Sequence, residues 1–555
     1  MISVQRRMVL TFLCNGLIAL GVGCKDRGHA DKGQDKRTTP SKKFGGTYHK
    51  SLLQEPLTLD PAFLMDTYAT AVAQQLFDGL VQFDADLNVV PSIAKFWEAS
   101  HDGLVWTFHL RQGVTFHHGR EVRADDFVYT FTRLLHPRTA SPRSWLLQRV
   151  QGAKQFLASA AERVEGLQAL DAYTLQITLS QPYTPFISIL GMAQTKVLPQ
   201  EEVERLGADF GRQPVGTGPF HFVNWVAGEE IKLQANEAYY EGRPFLDHLH
   251  YRIITDRQAA MAEFERGTLE DAVLPTHQQV PLSTNPRFKP FRIRKPLLAT
   301  LFLLLETRYG PLSNRKVRQA INHAINRETI NNIRQNRFVQ ARGILPLGMP
   351  GYNPDLVGYP YDLARARQLL ADAGYPGGKD LPPLELWTGV TSDTVTQEHE
   401  AIKRDLERLG LKVELLTAEN WKHYNAAVLG KRAGAIYRIV WFADFPDPDT
   451  FLFSLFHSQS PDNYAHYSNP EVDRLLEQAR SEGDYLKRIQ LYRQTEALIM
   501  EDAPVVNLVY YTFETLFQSY VQGIELNALG ERYIPMKKIW FDATSRVSLT
   551  TPKLP

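Results

Sequence analysis

The stretch Asp444-Phe445-Pro446-Asp447-Pro448-Asp449 crowds three carboxylates into six residues, enough to hold a cation or to answer a positively charged group. A calcium loop needs a glycine at its sixth position and a distant glutamate. This run has neither, and two prolines stiffen it into an ordered loop with one acid aimed inward. His117 and His118 are adjacent, so their side chains diverge, and Gly119 marks a turn; the pair reads as structural. His399-Glu400 begins as a zinc-protease helix does, but Lys403 stands where the second histidine is required. The chain has no G-x-S-x-G elbow, no G-x-x-x-x-G-K-[ST] phosphate loop and no G-x-G-x-x-G after a strand. Its two cysteines are Cys14 and Cys24, which excludes a disulfide framework, thiolate metal site or catalytic thiol beyond residue 24. These residues support binding. Catalysis, a metal and a cofactor are not expected.

Of the 555 residues, 43% are hydrophobic and 22% charged, the balance of a globular chain too long for one ordinary core. Sixty-two basic residues stand against 61 acidic ones, which gives no support to a nucleic-acid partner. Residues 1–23 read as an export signal: Arg6 and Arg7 precede an apolar run from Met8 to Val22, shorter than the roughly 20 residues of a membrane span. Gly23-Cys24 resembles the bacterial lipoprotein signal, in which the cysteine is lipidated, although Gly21 stands where that pattern prefers leucine. Plain secretion with an incidental Cys24 is the alternative. Residues 24–44 are almost devoid of apolar side chains and read as a solvated tether.

The elements that must position any site alternate between strand and helix. Thr47–Leu52, Trp106–Leu110 and Asp171–Leu179 alternate at period two, and Thr70–Asp78 carries a helical spacing at Val72, Leu76 and Phe77. Ala124-Asp125-Asp126, Asn314 and Asp362 open helices, the last running through Leu370 and stopping at Gly374. Pro470–Ala479 and Tyr485–Ile499 are further helices. The apolar stretches near Thr300 and over Val505–Phe517 are the expected crossings between lobes. The fold class is α/β.

Several motifs in fixed order carry a resemblance. They are Phe77-Asp78-Gly79-Leu80-Val81, Trp106 to Arg111 with Gly113-Val114, Phe116 to Gly119, and Ala124 to Tyr129. Further on come Pro214-Val215-Gly216-Thr217-Gly218-Pro219-Phe220, Val317 to Ile325, and Ala366 to Tyr375. Over about 45–541 the chain resembles the extracellular solute-binding proteins of peptide ABC importers, the oligopeptide/dipeptide/nickel class, and is most similar to oligopeptide-binding lipoproteins. The resemblance implies a periplasmic-binding-protein type II fold with two hinged lobes and an extra subdomain. Lobe I would comprise 45–75, 196–295 and 517–555, with the subdomain inserted at 76–195, and lobe II would be 296–516. It also implies a monomeric, non-enzymatic carrier on the periplasmic or cell-surface face, anchored through Cys24. This carrier would deliver peptides to a membrane permease and ATPase complex. The same fold holding a nickel chelate, a sugar or another small solute is the alternative.

Peptides of varied sequence share an ammonium, a backbone and a carboxylate, so their capture calls for a buried acid, an open strand edge and a cation. The run Tyr437-Arg438-Ile439-Val440-Trp441-Phe442-Ala443-Asp444 offers all three. The resemblance assigns the ammonium to Asp444 of W-x-x-D; a loop cap on its own backbone is the competing role. Trp441, Phe442 and Val440 would offer backbone or rings to the ligand, or the two aromatics would be buried without touching it. Arg438 would meet a ligand carboxylate or make an internal salt bridge, and Trp145 would lie over the ligand. After Leu59-Asp60-Pro61, where relatives can have a second acid, this chain has Met65 with Asp66 beside it.

Overall fold

The computed structural model describes residues 42–274, 286–430, 432–542 and 544. The expected signal segment and Cys24 lie outside them. Among the described residues no helix is long and apolar enough to cross a membrane.

Three principal sheets organise the chain. The first has four strands in the order Thr47–Leu52, His248–Ile253, Glu230–Ala235, Phe220–Val226. Its core includes Tyr48, Leu52, Ile231 and Leu233, closed by Phe517, Val521 and Ile539 from far along the chain. The second orders Ala94–Ala99, Val105–Leu110, Thr174–Thr178 and Leu167–Asp171. The helix Ala124–Leu135 supplies Phe127, Phe131 and Leu134 to its core. The third is mixed and seven-stranded, with its centre running Val505–Phe517, Arg292–Leu305, Ala435–Phe442, Leu384–Thr388. Both of its faces are covered, which is why Leu301 to Leu305 reads as an unbroken apolar run.

Arg292–Leu305 and Val505–Phe517 pair antiparallel along most of their length. Ile293 and Phe513 pack toward the core of the first sheet, whereas Leu301, Leu303, Val506 and Leu508 lie in the core of the third. The two strands therefore run out of one core into another. Their register slips between Pro296 and Thr300, where proline has no N–H to give the ladder.

Local differences from the sequence reading have local causes. The first helix spans Thr67–Leu76, because Asp66 accepts from the Ala69 N–H at 2.7 Å and starts it early. Asp171–Leu179 is a hairpin end and not one strand: the Asp171 carboxylate takes the Tyr173 N–H at 2.8 Å and turns the chain before Thr174–Thr178. Asn314 and Asp362 cap Arg315–Ala324 and Leu363–Asp372 as their positions suggest.

The Pro214–Phe220 motif has a packing reason. A Cβ on Gly216 would lie 2.0 Å from the Leu76 carbonyl oxygen, and one on Gly218 would lie 2.5 Å from that of Gln75. His117 clamps the same turn: its Nδ1 accepts from the Gly216 N–H at 3.2 Å, and its Nε2 then donates to the Gly218 carbonyl at 3.1 Å. His118 points elsewhere, to Glu201 at 2.8 Å.

Candidate ligand-binding cleft

A cavity of about 1110 Å³ opens where the 145–189 segment faces the 441–480 segment. The strand Ala435–Phe442 delivers one wall. Its first residues, Ala435 to Tyr437, pair with Glu385–Trp387, but beyond Tyr437 no described strand pairs with that edge. Ala443 donates its N–H to Leu298 on the opposite side, and the Arg438 carbonyl accepts from Tyr424. By the two-residue period, Val440 and Phe442 therefore present backbone N–H and C=O groups along an open edge.

The three acids after this strand have three fates. Asp444 lines the cavity with its side chain 30% exposed, 3.7 Å from the Arg143 guanidinium. Its N–H donates to Thr450 Oγ1 at 3.4 Å, while its carboxylate accepts no hydrogen bond from its own loop among the described residues. Asp447 is buried and takes two hydrogen bonds from Arg488, at 2.8 and 2.7 Å. Asp449 is buried against Arg480 at 2.6 and 2.9 Å and accepts from Tyr183. Burial opposes charging Asp449, but Arg480 outweighs it and holds the carboxyl below its ordinary range. A fourth acid, Asp462, also lines the cavity; burial, with the Asp444 charge adding to it, pushes its carboxyl up.

The other candidate positions divide by strand parity and local capping. Trp441 lines the cavity, its indole N–H donating to the Thr450 carbonyl at 2.6 Å, and Trp145 lines it from the facing segment, 41% exposed. Phe442 is 47% exposed and meets Tyr511 edge-on at 6.2 Å. Val440 lies on the opposite face of the sheet from Trp441, packed against the cluster around Leu301 and Ile436. Arg438 shares that face and is buried, its Nε 3.5 Å from Glu398, which Arg334 also engages; of its two expected roles the structure has the internal ion pair. Asp66 is not in the cavity wall, its carboxylate being the cap of Thr67–Leu76.

Sequence reasoning passed over Arg149, Tyr183, Asp462 and Arg480, all of which line the cavity. Arg149 left one trace, an arginine set between the buried apolar neighbours Leu147 and Val150. Nothing local marks Tyr183 and Arg480, because their partner Asp449 is distant in sequence.

The arrangement is a cleft with an acid, aromatic walls and an open strand edge beside it. Residues 88–463 match the model of the bacterial extracellular solute-binding proteins, family 5 Middle. Heme-binding protein A of Haemophilus influenzae is 29% identical over 88% of this chain and 91% of its own length. The probable di/tripeptide-binding protein 5 of Pseudomonas aeruginosa is 30% identical over 84% and 90%. Among solved structures, the periplasmic binding protein DppA of Helicobacter pylori in complex with the peptide STSA superposes with a TM-score of 0.72 at 28% identity, covering 90% of this chain and 98% of that one. The chain thus belongs to the bacterial extracellular solute-binding proteins of family 5, the peptide ABC importer class, whose members are transport binding proteins and not enzymes.

Proposed function

We propose that this protein captures peptides in the cavity beside Trp441 and Asp444 and delivers them to a membrane permease and its ATPase. The observation that carries the reading is the Asp444 carboxylate: part-exposed in the cavity and unengaged by its own loop, it stands two residues past an open backbone edge. In this reading Asp444 takes the ligand ammonium, Val440 and Phe442 pair with the ligand backbone, and Trp145 and Trp441 cover its leading side chain. Lobe I comprises 45–75, 196–295 and 517–555 with 76–195 inserted, and lobe II comprises 296–516. They close on the ligand about the paired strands Arg292–Leu305 and Val505–Phe517.

Calorimetry with di- to pentapeptides tests this. Asp444→Asn should weaken binding at least about tenfold, a loss of roughly 1.4 kcal/mol; unchanged affinity would reject the ammonium role. The name of the heme-binding relative supports a second reading with a non-peptide solute. Native mass spectrometry of protein purified without denaturation separates the two by the mass of retained cargo.

Export and lipid attachment at Cys24 belong to the same proposal, supported by Gly23-Cys24 and the polar tether. An intact mass of the mature protein without acyl chains would exclude the anchor.

A further inference from the structure

Two carboxylates of the cavity wall have an arginine beside them. Asp444 has Arg143, and Asp449 has Arg480. Lys154 and Glu165 are exposed, and Asp462 accepts from the Tyr464 hydroxyl at 3.0 Å. Arg149 is half-buried in the same wall, and no carboxylate of the described residues lies within ion-pair distance of it. Its guanidinium lies over the Tyr183 ring, 4.4 Å from the centroid, and feels the repulsion of Arg480. Burial and that repulsion hold it below the ordinary arginine range against the smaller pull of Tyr183 and Asp449. A guanidinium seated over an aromatic face keeps N–H groups in its own plane for a second partner.

The position of the cavity says which part of a ligand would be that partner. Trp441, Asp444, Phe445 and Thr450 line it, whereas Val440 and Phe442, on the open edge, do not. Asp444, which takes the ammonium in this reading, lines the same cavity as Arg149, whereas the edge residues Phe442 and Val440 that pair with the following backbone do not. What fills the cavity hangs from the ligand's first residue.

We propose that Arg149 selects ligands whose leading residue carries a carboxylate close to the ammonium. The inference rests on the peptide-binding reading above and deepens it. The guanidinium and the carboxylate would form a two-point hydrogen-bonded pair in a part-buried wall, set beside the Asp444–ammonium contact.

The experiment compares Glu-Ala-Ala, Gln-Ala-Ala and Gln-Ala-Ala amide by calorimetry on the mature wild-type protein, Arg149→Gln and Arg149→Lys. The expected result is that wild type prefers Glu-Ala-Ala to Gln-Ala-Ala by at least about tenfold, that Arg149→Gln loses the preference while still binding Gln-Ala-Ala, and that Arg149→Lys keeps part of it. Equal affinities for Glu-Ala-Ala and Gln-Ala-Ala in wild type would overturn the proposal and leave peptide binding standing. So would a preference that survives Arg149→Gln. An amide penalty that disappears in Arg149→Gln would move Arg149 to the ligand's other end and equally overturn it. Failure of wild type to bind any of the three overturns the peptide-binding reading itself, and this inference with it.

Discussion

Tyr183 and Asp449, 266 residues apart in the chain, meet across the cleft: the phenol donates to Asp449 Oδ2 at 3.0 Å. Thr184 reinforces the contact through the carbonyls of Arg480 and Glu482, both at distances below 3 Å. Phe445 crosses in the other direction and is buried in the core of the 76–195 segment. The cavity is thus closed on one side by a few polar contacts and one aromatic plug.

Tyr183→Phe removes the phenol's hydrogen bond and leaves Asp449 its pair with Arg480. A single neutral-to-charged hydrogen bond is worth about 1.5 kcal/mol, so the closed arrangement should lose up to about tenfold in population. Small-angle scattering of the ligand-free variant should show a larger radius of gyration than wild type. Identical scattering profiles would show that this contact does not hold the cleft shut.

Asp447→Ala leaves Arg488 buried without its carboxylate, a loss expected to cost about 3–5 kcal/mol. Denaturant unfolding should show this, and the double change Asp447→Ala with Arg488→Met should recover much of it. A single variant as stable as wild type would mean that the Tyr492 hydroxyl and the Ala479 carbonyl, which Arg488 also engages, satisfy it alone.

Gly216→Ala forces a methyl group into the Leu76 carbonyl at the end of the Thr67–Leu76 helix. Overpacking of this kind costs about 1–3 kcal/mol, and the melting temperature should fall. Gly119→Ala, where a Cβ would meet nothing within 4 Å, separates the packing effect from backbone strain, since Gly119 has φ +96°.

His117 is neutral in the folded protein: burial first, then neighbouring His221, pushes its pKa down to about 3 from an ordinary 6.5. His399 is likewise held at about 3, by burial and then by Arg438. Between these values the unfolded chain binds more protons than the folded one. Stability is therefore full above pH 6.5 and falls as the pH drops toward 3, by up to about 1.4 kcal/mol per pH unit for each imidazole. Calorimetric melting should show a shallower acid slope for His117→Asn than for wild type. Parallel slopes would exclude His117 as a contributor.

Period and capping made much of the fold legible. The strands Thr47–Leu52 and Val505–Phe517 and the helix starts at Asn314 and Asp362 follow from side chains within a few residues, because a cap or an alternation is satisfied locally. The hairpin at Asp171 and the early start at Asp66 were less plain, since one short carboxylate serves a turn, a cap or a ligand with the same chemistry. For the acids of 444–449, the sequence supplied the charges and the stiffening prolines but not their allocation.

The sequence by itself determined the family through its ordered motifs, a chemistry of binding without a catalytic nucleophile, and an acid just past the end of a strand. Tertiary structure decided which acid of the loop stays available in the cavity: Arg488 and Arg480 lie 41 and 31 residues beyond the carboxylates they neutralise, and only packing brings them there. It also turned Arg438 inward to Glu398 and left Arg149, in the cavity wall, without an ion-pair partner among the described residues. A side chain's charge is fixed by its type. What that charge can do depends on whether folding has already given it a partner.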